Sequence, residues 1–186
     1  MTTPTALQDA ALVLIDVQNT YRRGELQLEN VEPAVVEAQR LLALARSHGV
    51  PVFHVRHDGG VGSPYDLSAD IGQISPEVAP IDGEPVITKE FPNSFWQTDL
   101  DERLKALDIQ KIVLAGFMTH MCITATSHGA VNRGYTPTVV ASTTATRALD
   151  AGHGREVPAA QVHESALAAI RDLGVTIVDR VDDLSA

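Results

Sequence analysis

The sequence predicts an α/β fold in which a parallel sheet is covered by helices on both faces. Two observations carry this reading. Short β-branched runs alternate along the chain with longer segments of helical period, and the first run, "AALVLIDV" (Ala10–Val17), is apolar without interruption, as a strand buried on both faces must be. A third observation sets the scale: 186 residues, 44% of them hydrophobic, suit one domain with one core spanning residues 1–186.

The elements follow in order. After a loop rich in charge, Val31–Gly49 places Val35, Ala38, Leu41, Leu42 and Ala45 on one helical stripe, and Gly49 stops the helix. "PVFHVRH" (Pro51–His57) is the second strand. The stretch Asp58–Glu84 has no clear period and is too long for a simple connector, and loops of that length are often functional. "PVITKE" (Pro85–Glu90) is a short third strand, and Thr98–Ile109 is a helix capped by Thr98 or Asp99. Lys111–Phe117 is the fourth strand and opens into a helix that carries Cys122, with Thr119 as its N-cap. Thr136–Ala141 is the fifth strand, Ala145–Pro158 a loop, Ala159–Gly174 a helix and Val175–Asp179 the last strand. There is no internal repeat, low-complexity tract or linker.

Composition narrows the partners. A formal charge of -10 opposes nucleic-acid binding, which relies on clustered Lys and Arg. One cysteine cannot form an intramolecular disulfide, and "MTTPTALQDAALVLIDVQ" lacks the basic region, apolar stretch and cleavage site of a secretory leader. A cytoplasmic protein is expected. No apolar run approaches the roughly 20 residues needed to cross a bilayer, so no membrane association is expected. The expected partner is a small-molecule substrate.

Parallel strands all point one way, and open α/β sheets bind ligands beyond the carboxyl ends of their strands. Asp16 closes the first strand, His57 and Asp58 the second, Lys89 the third, and Gly116–Cys122 follows the fourth, so four stretches converge on one edge. A cysteine at a helix N-terminus meets unpaired N–H groups and partial positive charge, and a neighbouring Lys89 further favours the thiolate. Asp16 accepts the thiol proton and returns it to a leaving amine. Behind the cysteine, Ala125, Gly129 and Ala130 form a small-residue face for close approach to the sheet. A lone cysteine is more often a small buried hydrophobe, a strand-end aspartate a turn residue, and a lysine in "ITKEF" a solvated charge. The three together on separate strands are specific.

With these residues the chain resembles the isochorismatase-like cysteine hydrolase superfamily. The resemblance rests on "LVLIDVQNTY" with Asp16 and Gln18, "VITKEFPNSFWQTDL" with Lys89, and "LAGFMTHMC" running into Cys122, and it covers nearly the whole chain. It implies a Rossmann-like three-layer α/β/α sandwich with a six-stranded parallel sheet and an Asp-Lys-Cys triad falling on Asp16, Lys89 and Cys122. It further implies a non-proline cis peptide between Phe117 and Met118, an oxyanion hole from the N–H groups of Met118 and Cys122, and assembly as a homodimer or homotetramer, for which Ala145–Pro158 is a candidate contact.

Two departures from relatives carry information. Nicotinamidases of the superfamily hold a divalent metal with an Asp-x-His and a later His, whereas this chain reads "HVRHDGG". No metal and no cofactor are therefore expected. His54 and His57 lie three apart, on opposite faces of a strand and poor as a ligand pair; His54 reads as a core histidine, and His57 and Asp58 as residues that touch substrate or close the pocket. The second departure is "MTHMC", where many relatives carry Thr-Glu; His120 either orients substrate or caps the helix. Gln18, Tyr21, His57, Tyr65, Phe91, Phe95, Trp96, Phe117 and His120 are the candidate substrate-pocket residues. His163 reads as structural, while Arg147 and His153 reach the site or a neighbouring subunit.

The expected activity is hydrolysis of a small amide, carbamoyl or related C–N bond through a thioester acyl-enzyme. The alternatives are hydrolysis of an isochorismate-type vinyl ether, with Asp16 as acid and Cys122 dispensable, or a non-catalytic reactive-thiol sensor. The sensor reading lacks a second cysteine to resolve an oxidised one.

Overall fold

The computed structural model describes residues 6–184; residues 1–5 and 185–186 lie outside it, and with them the start of "MTTPTALQDAALVLIDVQ", which was expected to hold no secretory leader. Eight strands and four α-helices are present among the described residues: β1 (Ala11–Ile15), α1 (Val31–Ser47), β2 (Val52–His57), β3 (Val86–Lys89), α2 (Leu100–Ala106), β4 (Lys111–Phe117), α3 (Thr124–Val131), β5 (Thr136–Ala145), β6 (Leu149–Gly152), β7 (Arg155–Val157), α4 (Ala159–Asp172) and β8 (Thr176–Val178). Six of the strands form one sheet in the order β3-β2-β1-β4-β5-β8, and each neighbouring pair is parallel. The expected α/β/α sandwich with a six-stranded parallel sheet is thus what the chain forms.

Side-chain alternation on the central strands builds the layers. Leu12 and Leu14 of β1, with Val113, Ala115 and Phe117 of β4, pack against the apolar stripe of α1. Ala11, Val13 and Ile15, with Ile112 and Leu114, face α2, α3 and α4 through Leu100, Leu104, Ala130 and Ile170. The stripe expected on α1 is buried along its length, from Val35 to Ala45. Leu41 and Leu42 are fully buried, each worth roughly 1.5–3 kcal/mol.

The differences from expectation are local. The Ala145–Pro158 loop contains a β6–β7 antiparallel hairpin, closed by His153 and Gly154 at φ 55° and 71°, the left-handed pair that a two-residue hairpin turn requires. β5 runs four residues past Ala141, because the Thr-rich continuation stays paired with β4 across a register shift between Leu114 and Gly116. Thr119 is not a helix N-cap. Met118 occupies that position, and Thr119–Ile123 form one π-helical turn that leads into α3. Gly129 does not serve approach to the sheet: a Cβ there would lie 2.5 Å from Asn93 Oδ1, so α3 is seated against the loop after β3.

The strand order reverses between β1 and β4, which opens a crevice at the carboxyl ends of these two strands. Gly116 lets them close together there. Its φ is 118°, and a Cβ would lie 1.9 Å from the Ile15 carbonyl oxygen, so no side chain fits. This accounts for the glycine that ends the apolar run before Cys122.

Candidate active site

Asp16 leaves β1 in the left-handed region, φ 52°, a conformation in which aspartate is better tolerated than most residues. Its N–H still donates to the Val55 carbonyl (2.8 Å), so the strand pairing continues while the side chain turns into the crevice. Lys89 is the last residue of β3 and lies in register with His57 of β2. Cys122 sits inside the π-helical turn after β4, and the Phe117–Met118 peptide before that turn is cis. The turn is braced from both sides. Thr119 Oγ1 donates to the Ala145 carbonyl (3.1 Å) and meets His163 Nδ1 (3.0 Å), and His120 Nδ1 meets Thr146 Oγ1 (2.5 Å).

These pieces place three side chains in direct contact. The Lys89 ammonium donates to Asp16 Oδ2 at 2.6 Å and to Cys122 Sγ at 3.4 Å, and the lysine and aspartate side chains are both fully shielded from solvent. Asp16 Oδ1 is buried and without a hydrogen-bond partner. Burial alone would lower the Lys89 pKa, but Asp16 and Cys122 together outweigh it and raise it, so the ammonium stays charged. Burial pushes the Cys122 thiol up, Asp16 adds to the rise, and Lys89 offsets only part of it. The expected low-pKa thiolate is therefore reversed. A cysteine 4% exposed beside a carboxylate rests as the thiol, poised against the group that can take its proton.

The candidate pocket residues divide. His57 is at the site, with Nδ1 3.3 Å from the Lys89 ammonium. Tyr21 is buried nearby; burial first, then the charge of Asp16, pushes its phenol far up, and its OH meets that of Tyr65 at 3.1 Å. Gln18 does not offer its amide to a ligand: Nε2 donates to the His57 and Gly72 carbonyls (3.0 and 2.7 Å), and Oε1 accepts from the His57 N–H (2.8 Å). It clamps the end of β2 to the long loop. Phe95 lies in the core, stacked on Tyr135 at 5.5 Å, with the Arg133 guanidinium 5.0 Å from its ring centroid. Phe117 packs edge-on to Tyr21 within the α1-side core. Phe91 and Trp96 are 44% and 53% exposed and enclose nothing in the single chain. His120 is held by Thr146, and burial followed by Arg147 lowers its pKa.

His54 is a core histidine, with Nε2 2.7 Å from Glu84 Oε2, and so points away from His57 and its lysine. Among the described residues, no three or more His, Cys, Asp or Glu side chains gather as a metal site, and no helix is long and apolar enough to cross a membrane. A cavity of about 400 Å³ opens between His57, Asp58, Gly59, Gly60 and Glu90, at the carboxyl ends of β2 and β3. A larger one, about 570 Å³, lies at the opposite ends of these strands around Pro51, Val52 and Pro85, remote from the triad.

The residues that sequence reasoning overlooked are braces. Thr146, Ser94 and Thr126 hold the turn and the loop after β3, Ser94 N–H donating to Thr126 Oγ1 (3.0 Å) and that hydroxyl to Ser94 Oγ (2.9 Å). Hydroxyls of this kind leave no spacing signal.

Comparison with known proteins places the chain. The family profile described as the isochorismatase domain matches residues 10–181. The chain belongs to the isochorismatase family. YddQ, an isochorismatase-family protein of Bacillus subtilis, is 38% identical over 170 residues, covering 90% of this chain and 94% of its own. Isc1, a secreted isochorismatase effector of Verticillium dahliae, is 36% identical over 94% of this chain and 90% of its own. The crystal structure of an isochorismatase from Pseudomonas putida has a TM-score of 0.94 at 37% identity, covering 99% of this chain and 94% of that one. More distant relatives are named for amide hydrolysis. They are a maleamate amidohydrolase of Pseudomonas putida (34% identical; 70% and 69% covered), a ureidoacrylate amidohydrolase of Methylobacterium radiotolerans (26%; 76% and 69%) and the structure of an N-carbamoylsarcosine amidase of Thermoplasma acidophilum (TM-score 0.80, 25%; 96% and 99%). The protein is an isochorismatase-family hydrolase.

Proposed function

We propose that this protein hydrolyses a small amide, carbamoyl or related C–N bond through a thioester on Cys122. The observation that carries the reading is the Lys89 ammonium lodged between Asp16 Oδ2 and Cys122 Sγ, with the other carboxylate oxygen, Asp16 Oδ1, buried and unpartnered. That free oxygen is a base with a vacant acceptor position. As Sγ attacks the substrate carbonyl carbon, its proton passes to Asp16, and the N–H groups of Met118 and Cys122 hold the oxygen that gains charge. Asp16 then gives the proton to the departing nitrogen, the C–N bond breaks, and the amine leaves the acyl group on sulfur. Asp16 next takes a proton from water, whose oxygen attacks the thioester; the acid departs and the proton returns to Sγ. Lys89 remains an ammonium throughout, orienting Asp16 and opposing charge build-up on sulfur. The amidohydrolase relatives support the same bond class. No step calls for a metal or cofactor.

The deciding experiment is a panel of primary amides, carbamoyl and ureido compounds and isochorismate. Each is assayed with native protein, Cys122→Ala and Asp16→Asn, and slow substrates are followed by intact-mass spectrometry. Turnover of an amide-class compound, its loss by several orders of magnitude in both variants, and an acyl mass on Cys122 are expected, since triad members act as a unit. Activity that survives in Cys122→Ala but not in Asp16→Asn would replace this mechanism with acid-catalysed vinyl-ether cleavage.

A further inference from the structure

A lysine ammonium has three hydrogens, and the triad accounts for two of those on Lys89. The third points to His57, whose Nδ1 lies 3.3 Å from Nζ. An ammonium only donates, so Nδ1 is an acceptor here and the ring's single proton belongs on Nε2. The imidazole is held for this contact. Its backbone N–H and C=O are both bound by the Gln18 amide, its ring lies against Tyr65 at 4.6 Å with a 58° tilt, and β2–β3 pairing sets it beside Lys89.

We propose that His57 is a positioning residue, a neutral imidazole that takes the third N–H of Lys89 and so fixes the ammonium between Asp16 and Cys122. The proposal rests on the catalytic reading of Lys89 given above. Protonation of the ring removes the acceptor and sets two cations within 3.3 Å of each other, so the arrangement holds only while His57 is neutral. The groups facing the ring are Lys89, Asp16, Asp58, Glu90 and Tyr65. Burial, then Lys89, lowers its pKa below the ordinary 6.5, against the pull of the three carboxylates, which keeps it neutral at pH 7. The ring also lines the 400 Å³ cavity, where Nε2–H is its one polar hydrogen for a substrate acceptor.

The test has an arm that needs no substrate. Nitrogen-15 imidazole spectra of the native protein should show the Nε2–H tautomer of His57 at pH 7, titrating below 6.5, with the pKa moving up in Lys89→Met. In the second arm, His57→Leu should lower kcat by about tenfold with little change in KM. His57→Asn, whose Oδ1 offers an acceptor close to the place of Nδ1 and cannot be protonated, should recover most of that loss and remove the acidic limb of the kcat profile. An Nδ1–H tautomer, or equal impairment of the Leu and Asn variants, would overturn the proposal. A native protein inactive on every amide would defeat the function proposed above, while the spectra would still decide the His57 contact.

Discussion

Gly116 is the residue at which the site tolerates least. A methyl group there would overlap the Ile15 carbonyl oxygen and would have to adopt a φ of 118°, so Gly116→Ala must part β1 and β4 where Asp16 and Cys122 leave them. We expect a loss of at least about 3 kcal/mol in urea unfolding, with hydrolysis abolished even where the fold survives. Asp16 gives a second prediction of opposite appearance. Its charge raises the thiol pKa, so Asp16→Asn, which leaves Lys89 in place, should make Cys122 easier to ionise. Iodoacetamide alkylation at pH 8 should then run several-fold faster while turnover disappears, and the single cysteine makes the readout unambiguous. Slower alkylation would mean that Asp16 does not oppose the thiolate. Asp16, Lys89 and Cys122 were legible because strand ends convert sequence position into place. The resting protonation of Cys122 was not, since it depends on how completely the sheet and Tyr21 exclude water, and Gln18 gave no sign that its amide would be spent on backbone.

Among the elements, the carboxyl end of α1, β2 and the approach to β3 are joined through Glu84. Arg46 of α1 donates to both its oxygens at 2.8 Å, His54 of β2 meets Oε2 at 2.7 Å, and the Ile81 N–H reaches the same oxygen at 3.2 Å. Burial works against the carboxylate, but Arg46 and His54 prevail and hold its pKa at about 2. Glu84→Gln keeps the shape and removes the charge, leaving a half-buried guanidinium without its partner. We expect about 2–4 kcal/mol of destabilisation, read as a lower urea midpoint at constant m. A change below about 0.5 kcal/mol would show the network to be ornamental. Glu84 sits at the end of the long loop and was not singled out by any sequence pattern, because its partners are 38 and 30 residues away. The six strands of the main sheet were legible for the opposite reason: each contains an apolar or β-branched run within its own few residues. The β6–β7 hairpin escaped notice because its flanks, "LDAG" and "REV", lack alternation, and its turn, "HG", is not one of the Asn-Gly or Asp-Gly pairs that announce a hairpin. The π-helical turn has no sequence signature comparable to a capping box.

Taken as a whole, the molecule is built to work with neutral histidines. Burial, the leading cause in each case, lowers the pKa of His54, His57, His120 and His163. The unfolded chain takes up protons at these positions near pH 6.5 that the folded chain refuses, so the contribution to stability is complete above that value and is lost as pH falls from it towards the folded pKa values. Glu84 adds a second step, with stability present above about pH 4.5 and lost as pH falls towards 2. Urea midpoints at pH 7.5, 5.5 and 3 should therefore decline in two stages, the first from the histidines and the second from Glu84. A flat profile between 7.5 and 5.5 would contradict the histidine account. Lys89 is carried by β3, one of the two edge strands, four residues long and exposed at alternate positions. A chain whose other five strands are paired possesses a core, a cysteine and an aspartate, yet lacks the lysine until β3 docks. Opening of β3 alone withdraws Lys89 from the site, so under mild denaturant turnover should fade while the far-ultraviolet dichroism is still nearly native, and the reaction itself then reports whether that edge is in place.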